Sequence, residues 1–203
     1  KEIIDASVSL ARHVGYSNIG TFEFLVRVSE SGEAGSFAFI ETNARLQVEH
    51  TVTEVVTGVD VVQTQIQLAQ GESLSDIGLD SQETINPRGY AIQTRVNMET
   101  LSPSGNLRPS RGMLISYDPP TGPGVRTDGF GYSGYTTNAL FDSLLAKVIA
   151  YSSSPQFERA VGKSLSSLSE FRIEGVDTNI GFLKNVLSQH DFLDGSVSQR
   201  WVD

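Results

Sequence analysis

The chain contains no cysteine. A disulfide framework and a thiolate metal centre are therefore excluded. Histidine is nearly as scarce: His13, His50 and His190 are scattered along 203 residues, too few and too far apart for a zinc site. No apolar run approaches the roughly 18 to 20 residues that a membrane-spanning helix needs. Positive charge is short as well, since 15 Lys and Arg against 24 Asp and Glu give a net charge of −9. Such a balance excludes a broad nucleic-acid or anionic-membrane footprint, while phosphate binding, which depends on local cations, stays open. Internal repeats and low-complexity tracts are also missing. What is present is an ordinary globular composition, 38% hydrophobic and 19% charged, long enough for one large or two small domains.

Two runs rich in aromatic and β-branched residues, Phe22 to Val28 and Phe37 to Glu41, flank the polar, glycine-containing stretch Ser29 to Ser36. They read as a β-hairpin. A turn centred near Gly32 sets Glu23 opposite Glu41, Phe24 opposite Ile40, Leu25 opposite Phe39 and Val26 opposite Ala38. One face then carries Glu23, Glu41 and, two residues on, Asn43. Two carboxylates and an amide oxygen are hard ligands suited to Mg²⁺ or Mn²⁺. On spacing alone the more common arrangement is that such acids merely decorate a solvated hairpin face, because opposed like charges destabilise a pair only modestly.

Beyond Asn43, the polar residues Arg45, Gln47 and Glu49 alternate with Ala44, Leu46 and Val48. A guanidinium, an amide and a carboxylate pointing one way form a cradle for a small oxyanion, with Glu49 available as a base. The alternative is an edge strand whose Arg45 and Glu49 form an exposed ion pair worth about 0 to 1 kcal/mol.

Further along, helices are expected over Ile3 to Ala11, Asp60 to Gln70 with Gly71 just past its end, and Asn179 to Leu187. Ser154-Pro155 reads as an N-cap and first helical residue, opening a helix whose apolar side includes Leu165, Leu168 and Phe171. Strands are expected at Tyr90 to Asn97, Met113 to Tyr117 and Leu144 to Tyr151. Gly129 to Gly134 satisfies G-x-G-x-x-G but follows a Gly/Pro-rich loop and lacks a βαβ context, so it reads as a turn. The sum is an α+β chain, divided into residues 1–80 and 81–203.

Phe39 to Glu54, FIETNARLQVEHTVTE, resembles the signature of biotin carboxylase, the ATP-grasp component of biotin-dependent carboxylases. The likeness continues through Gly122 to Asp128 (GPGVRTD), Phe141 to Ile149 and Gly175 to Ile180, and so spans essentially the whole chain. It implies the C-terminal portion of an ATP-grasp subdomain followed by a biotin carboxylase C-terminal sheet-and-helix domain. It further implies that Glu23, Glu41 and Asn43 hold the Mg²⁺ or Mn²⁺ that bridges the ATP phosphates. Arg45, Gln47 and the backbone of Val48 would bind bicarbonate, Glu49 would deprotonate it, and Arg126 would stabilise the biotin enolate and the bicarbonate-derived intermediate.

The expected activity is ATP- and bicarbonate-dependent carboxylation of biotin on a carrier domain. Partners would be that carrier, a carboxyltransferase domain or subunit, and a second copy engaged through the C-terminal domain, in the cytoplasm or, in a eukaryote, the mitochondrial matrix. Neither nucleic acid nor a membrane is expected as a partner. The family's glycine-rich lid and phosphate-binding lysine lie upstream of the matching positions, so the 203 residues are expected to bind ATP weakly and to be inactive alone. Val96-Asn97-Met98-Glu99 and the loop Ser102 to Asn106 depart from the family's commoner forms. Those departures leave the subfamily open, while Met98-Glu99-Thr100 and the Gly-Pro-Gly-Val-Arg-Thr-Asp-Gly loop lean toward an acyl-CoA carboxylase. A pyruvate carboxylase, a silent scaffold with an ATP-grasp fold, and another ATP-grasp reaction such as carbamoyl-phosphate synthesis are the alternatives.

Overall fold

The computed structural model describes residues 1–29, 33–102, 105–138, 142–197 and 201. The expected turn apex at Gly32, Pro103 and Ser104 of the divergent loop, and Phe141 at the head of one motif lie outside them. The chain divides into two compact units, Lys1–Glu54 with Gly58–Asn86, and Val55–Thr57 with Pro87–Asp203.

In the first unit, α1 (Glu2–His13) runs two residues past the expected end, with acids in its first turn and Arg12 and His13 in its last, each sign suited to the helix dipole. The antiparallel hairpin β1 (Thr21–Val28) and β2 (Ala34–Asn43) follows. Glu23 faces Glu41 as expected, and Thr21 faces Asn43, but Phe24 pairs with Phe39, Leu25 with Ala38 and Val26 with Phe37. The expected pairings of Phe24, Leu25 and Val26 are thus off by one residue. The cause is a bulge at Ile40, and an extra residue on one strand flips everything beyond it to the other face. Phe39 therefore leaves the acid face and meets Phe22 and Phe24, at ring-centroid distances of 6.5 and 5.7 Å.

After Asn43 the chain leaves the sheet. Residues 44–49 are irregular and end in a turn, so the alternating edge strand is not formed. The turn feeds α2 (His50–Thr57), which stops at Gly58 in the left-handed region, φ 76°. Asp60 then caps α3 (Val61–Ala69), accepting from Gln63 N at 2.7 Å.

The second unit is built on three strands, β3 (Tyr90–Asn97), then β7 (Val125–Gly129) and β8 (Leu144–Ser152), in the order β3-β8-β7 and antiparallel throughout. Between β3 and β7 lie β4 (Glu99–Leu101), paired with β5 (Leu107–Pro109), and β6 (Ser116–Asp118). After β8 come α4 (Phe157–Glu170), β9 (Arg172–Glu174), which pairs with β6, α5 (Ile180–Leu187) and α6 (His190–Leu193). Val96, Ala146 and Val148 turn one sheet face toward Val161 and Leu168 of α4, forming the core. The opposite face carries the row Arg95, Lys147 and Asp128, paired across the three strands, with Arg126 two residues from Asp128.

Three sequence expectations are corrected here. The strand over Met113 to Tyr117 is reduced to β6 and a single bridge from Met113 to Thr136, because Gly175 (φ 99°) brings its backbone against the Met113 carbonyl. α4 begins at Phe157, two residues after Pro155, since the Ser154 hydroxyl accepts from Gln156 N at 3.1 Å and closes a local turn instead of capping the helix. Phe171 sits just beyond α4, buried, with its ring 5.3 Å from that of Tyr117. The glycine-rich Gly129 to Gly134 segment forms the end of β7 and a turn, with Tyr117 packed where side chains on Gly129 and Gly131 would lie.

Candidate active site

The bulge that moves Phe39 off the acid face leaves Glu23 and Glu41 opposed at the mouth of the hairpin. Like charges so placed repel. Asn43 bridges them: its amide N–H₂ donates to Glu23 Oε1 at 2.8 Å and to Glu41 Oε1 at 2.9 Å. Gln47 reaches back from the irregular segment and donates to the same Glu23 oxygen at 3.2 Å. Four of the residues singled out from sequence thus form one hydrogen-bonded cluster, half-buried at Glu23, Asn43 and Gln47 and exposed at Glu41.

Beside this cluster opens a cleft of about 660 Å³ whose walls include Glu23, Arg45, Gln47, Glu49 and His50. Arg45 is exposed and donates to the adjacent Leu46 carbonyl at 3.3 Å, a weak contact that holds its guanidinium at the cleft wall. Glu49 is the N-cap residue of α2 and is exposed. Val48 is exposed and lies outside the cleft lining. A cation, an amide and two carboxylates around one opening can bind a small oxyanion and accept a proton from it.

His50 and Glu54 were not anticipated. His50 Nδ1 lies 2.8 Å from the Gln47 carbonyl, an acceptor only, so that nitrogen carries the proton. Glu54, 9% exposed, accepts Val61 N–H at 2.9 Å and stands 4.0 Å from His50 Nε2, one helical turn along. Together they tie the Gln47 turn, α2 and the start of α3 to one another. The signal was the i, i+4 spacing of His50 and Glu54.

Among the described residues no group of three or more His, Cys, Asp or Glu side chains gathers as a metal site. The hairpin mouth instead offers two carboxylates and an amide. All are hard oxygen donors once the Asn43 amide turns over, and the set fits Mg²⁺ or Mn²⁺, which take one or two carboxylates and leave other positions for water and phosphate.

In the second unit, Arg126 lies on β7. Its Nε and Nη2 donate to the two oxygens of Asp128, at 2.8 and 2.9 Å, a bidentate pair, and Lys147 Nζ stands 3.4 Å from Asp128 Oδ2. Partial burial pushes the Asp128 carboxyl up, but the hydrogen bond and charge of Arg126, with the charge of Lys147 behind them, outweigh it and hold the carboxyl below its ordinary 3.8. Asp128 and Lys147 were also missed from sequence, although Asp128 is two residues from Arg126 on a strand and so shares its face.

Two family models match the chain. The carbamoyl-phosphate synthase L chain ATP-binding domain covers residues 1–77, and the biotin carboxylase C-terminal domain covers residues 93–203. Pyruvate carboxylase 1 of Caenorhabditis elegans is 47% identical over 204 residues, spanning 100% of this chain and 16% of the relative. A single-chain, multi-domain long-chain acyl-CoA carboxylase superposes with a TM-score of 0.89 at 43% identity, covering 98% of this chain and 21% of that one. The biotin carboxylase domain dimer of Hydrogenobacter thermophilus 2-oxoglutarate carboxylase, solved with MgADP and bicarbonate, gives 0.84 at 40% identity, covering 97% of this chain and 40% of that one. The chain therefore spans less than a fifth of the curated pyruvate carboxylase and under half of that domain.

Proposed function

This chain belongs to the biotin carboxylase family, and on that premise we propose that it is part of an enzyme that carboxylates biotin with ATP and bicarbonate, the first half-reaction of a biotin-dependent carboxylase. The observation that carries the proposal is the Glu23–Asn43–Glu41–Gln47 cluster bordering a cleft that also takes in Arg45 and Glu49.

The proposed roles follow from the chemistry of each group. Glu23 and Glu41, with Asn43 turned over, would hold Mg²⁺ or Mn²⁺. Such an ion, when bound, neutralises charge on the nucleotide phosphates. Arg45 and Gln47, both on the cleft wall, orient bicarbonate. Glu49 takes the bicarbonate proton as its oxygen forms a bond to the γ-phosphorus and ADP departs. The resulting carboxyphosphate splits to CO₂ and phosphate, phosphate accepts the proton from biotin N1, and N1 bonds to CO₂. Arg126 stabilises the negative charge that develops on the ureido oxygen, a contribution of about 3 to 4 kcal/mol for one preorganised donor.

Partners in this reading are a biotin carrier domain, a carboxyltransferase and a second copy bound through residues 81–203; the dimer of the 2-oxoglutarate carboxylase domain supports a second copy as such. The setting is the cytoplasm or the mitochondrial matrix, and among the described residues no helix is long and apolar enough to cross a membrane. Two acceptors are carried forward. An acyl-CoA is favoured by Met98-Glu99-Thr100, the Gly122 to Gly129 loop and the acyl-CoA carboxylase neighbour, whereas pyruvate is favoured by the 47% identical relative.

The test is phosphate release by the full-length parent with Mg·ATP and bicarbonate, with and without free biotin. Stimulation by biotin that falls about 10²- to 10³-fold in Arg126→Ala is expected. Glu49→Gln should lose bicarbonate-dependent turnover by about 10²- to 10⁴-fold while nucleotide binding persists. An ATP-binding wild type that ignores biotin overturns the proposal.

A further inference from the structure

We propose that Asp128 is the positioning residue for Arg126, and that Lys147 anchors Asp128 to the central strand, so that the guanidinium is presented to anionic charge in one fixed orientation. The inference rests on the reading of Arg126 given above and goes beyond it to the residues that hold the arginine in place.

Arg126 is 41% exposed on a five-residue strand, and a long side chain so placed samples many rotamers. The rotamer entropy of that side chain stands against any single one of them. Asp128 counters this from two residues away on the same strand face, accepting two parallel N–H bonds in a planar fork that no monodentate contact reproduces. The fork engages the Nε–Nη2 edge, which fixes the plane of the guanidinium as well as its place.

Asp128 is itself held. It pairs in register with Lys147 of β8, whose neighbours Ala146 and Val148 are in the core at 1% and 0% exposure. Lys147 is only 12% exposed, so its ammonium is confined beside Asp128 while Arg126 remains accessible. The chain of support runs from a buried strand, through an ammonium and a carboxylate, to the arginine. The three charges sum to +1, so the group still attracts an anion. A carboxylate that served only to stabilise the sheet would need neither the bidentate geometry nor an exposed cation as its partner.

The test uses the full-length parent, free biotin as the probe, and the ratio of biotin-stimulated to biotin-independent phosphate release. Arg126→Ala, measured first, must abolish stimulation; if it does not, the reading of Arg126 fails and this inference with it. Given that, Asp128→Asn should lower the ratio by about ten- to a hundredfold, the scale of a misplaced catalytic group. The loss should fall on kcat more than on KM for ATP. Asp128→Glu, which keeps the charge, should recover part of it, and Lys147→Met should cost less than Asp128→Asn. A ratio in Asp128→Asn equal to wild type overturns the inference. So does an equal drop in both activities with a lowered melting temperature, which would mark Asp128 as structural only.

Discussion

The two units support their polar groups in opposite ways. In the first, only Thr51 and Glu54 are buried among the described residues, and the acid cluster is held by strand register and by hydrogen bonds between half-exposed side chains. In the second, Val96, Leu145, Val148 and Ile149 are all at 0% exposure, and Arg126 and Asp128 lie on a strand paired with that packed centre. A hydrogen bond between partly solvated groups contributes only about 0.5 to 1.5 kcal/mol, whereas a fully buried aliphatic side chain contributes about 1.5 to 3. The first arrangement can re-form around ligands at little cost. The second suits a group that must already be in place.

The largest expected effect tests whether the burial contrast is energetic. Leu145→Ala, in a fully buried site packed with Met98 and Leu114, should cost about 2 to 5 kcal/mol of unfolding free energy. Phe39→Ala removes a larger side chain, but one that is 49% exposed, and should cost only about 1 kcal/mol. Urea midpoints of the two variants decide the matter. Equal losses would break the comparison.

A smaller effect probes how the first unit holds its helices without a core. Two acids receive the start of α3: Asp60 takes Gln63 N–H and Glu54 takes Val61 N–H. Each replacement by Ala should cost about 0.5 to 2 kcal/mol, the usual range for a lost cap. Hydrogen exchange should show the first-turn amides of α3 losing protection. Unchanged protection in Glu54→Ala would mean that Glu54 acts on the His50 side alone.

Much of the acid cluster was legible in the sequence because Glu23 and Glu41 lie equally far from a turn near Gly32, which opposes them in any simple hairpin. The flip of Phe39 was missed, although a parity conflict marks it. Phe37, Phe39, Glu41 and Asn43 share one parity and cannot all share a face that keeps the phenylalanines with Phe22 and Phe24 and the acids with Glu23. Only an extra residue resolves this, and Ile40 supplies it. The alternative of an edge strand over 44–49 stayed open because period-2 alternation says nothing of whether a partner strand exists. β7 escaped notice because five residues ending in Gly129 are too short for periodicity to register. Arg126 was found by resemblance alone, and its contact with Asp128, like that of Asp128 with Lys147, needed coordinates.

The smallest effect compares one carboxylate from each unit. Asp76 lies in an exposed turn and accepts from Ser73 Oγ at 2.6 Å and Ser73 N at 2.8 Å; the side-chain bond, then the backbone bond, hold it below its ordinary 3.8. Asp128 is held below the same value against the pull of its burial, by Arg126 and then Lys147. A carboxyl lowered in the folded state contributes stability that is fully present above the unfolded value and lost as pH falls through the folded one. Both contributions should therefore vanish only below pH 3.8. Carbon-13 titration of the side-chain carboxyls should place both midpoints under 3.8, with Ser73→Ala raising Asp76 alone and Arg126→Ala raising Asp128 alone. The two need not respond alike to salt. Hydrogen bonds from a neutral serine are little screened, whereas the charges of Arg126 and Lys147 are partly open to solvent and should weaken as ionic strength rises. Added salt should thus raise the Asp128 midpoint more than that of Asp76. An Asp128 midpoint at or above 3.8 with Arg126 intact would mean that burial outweighs the cations, and that the arginine is not held where the sheet places it.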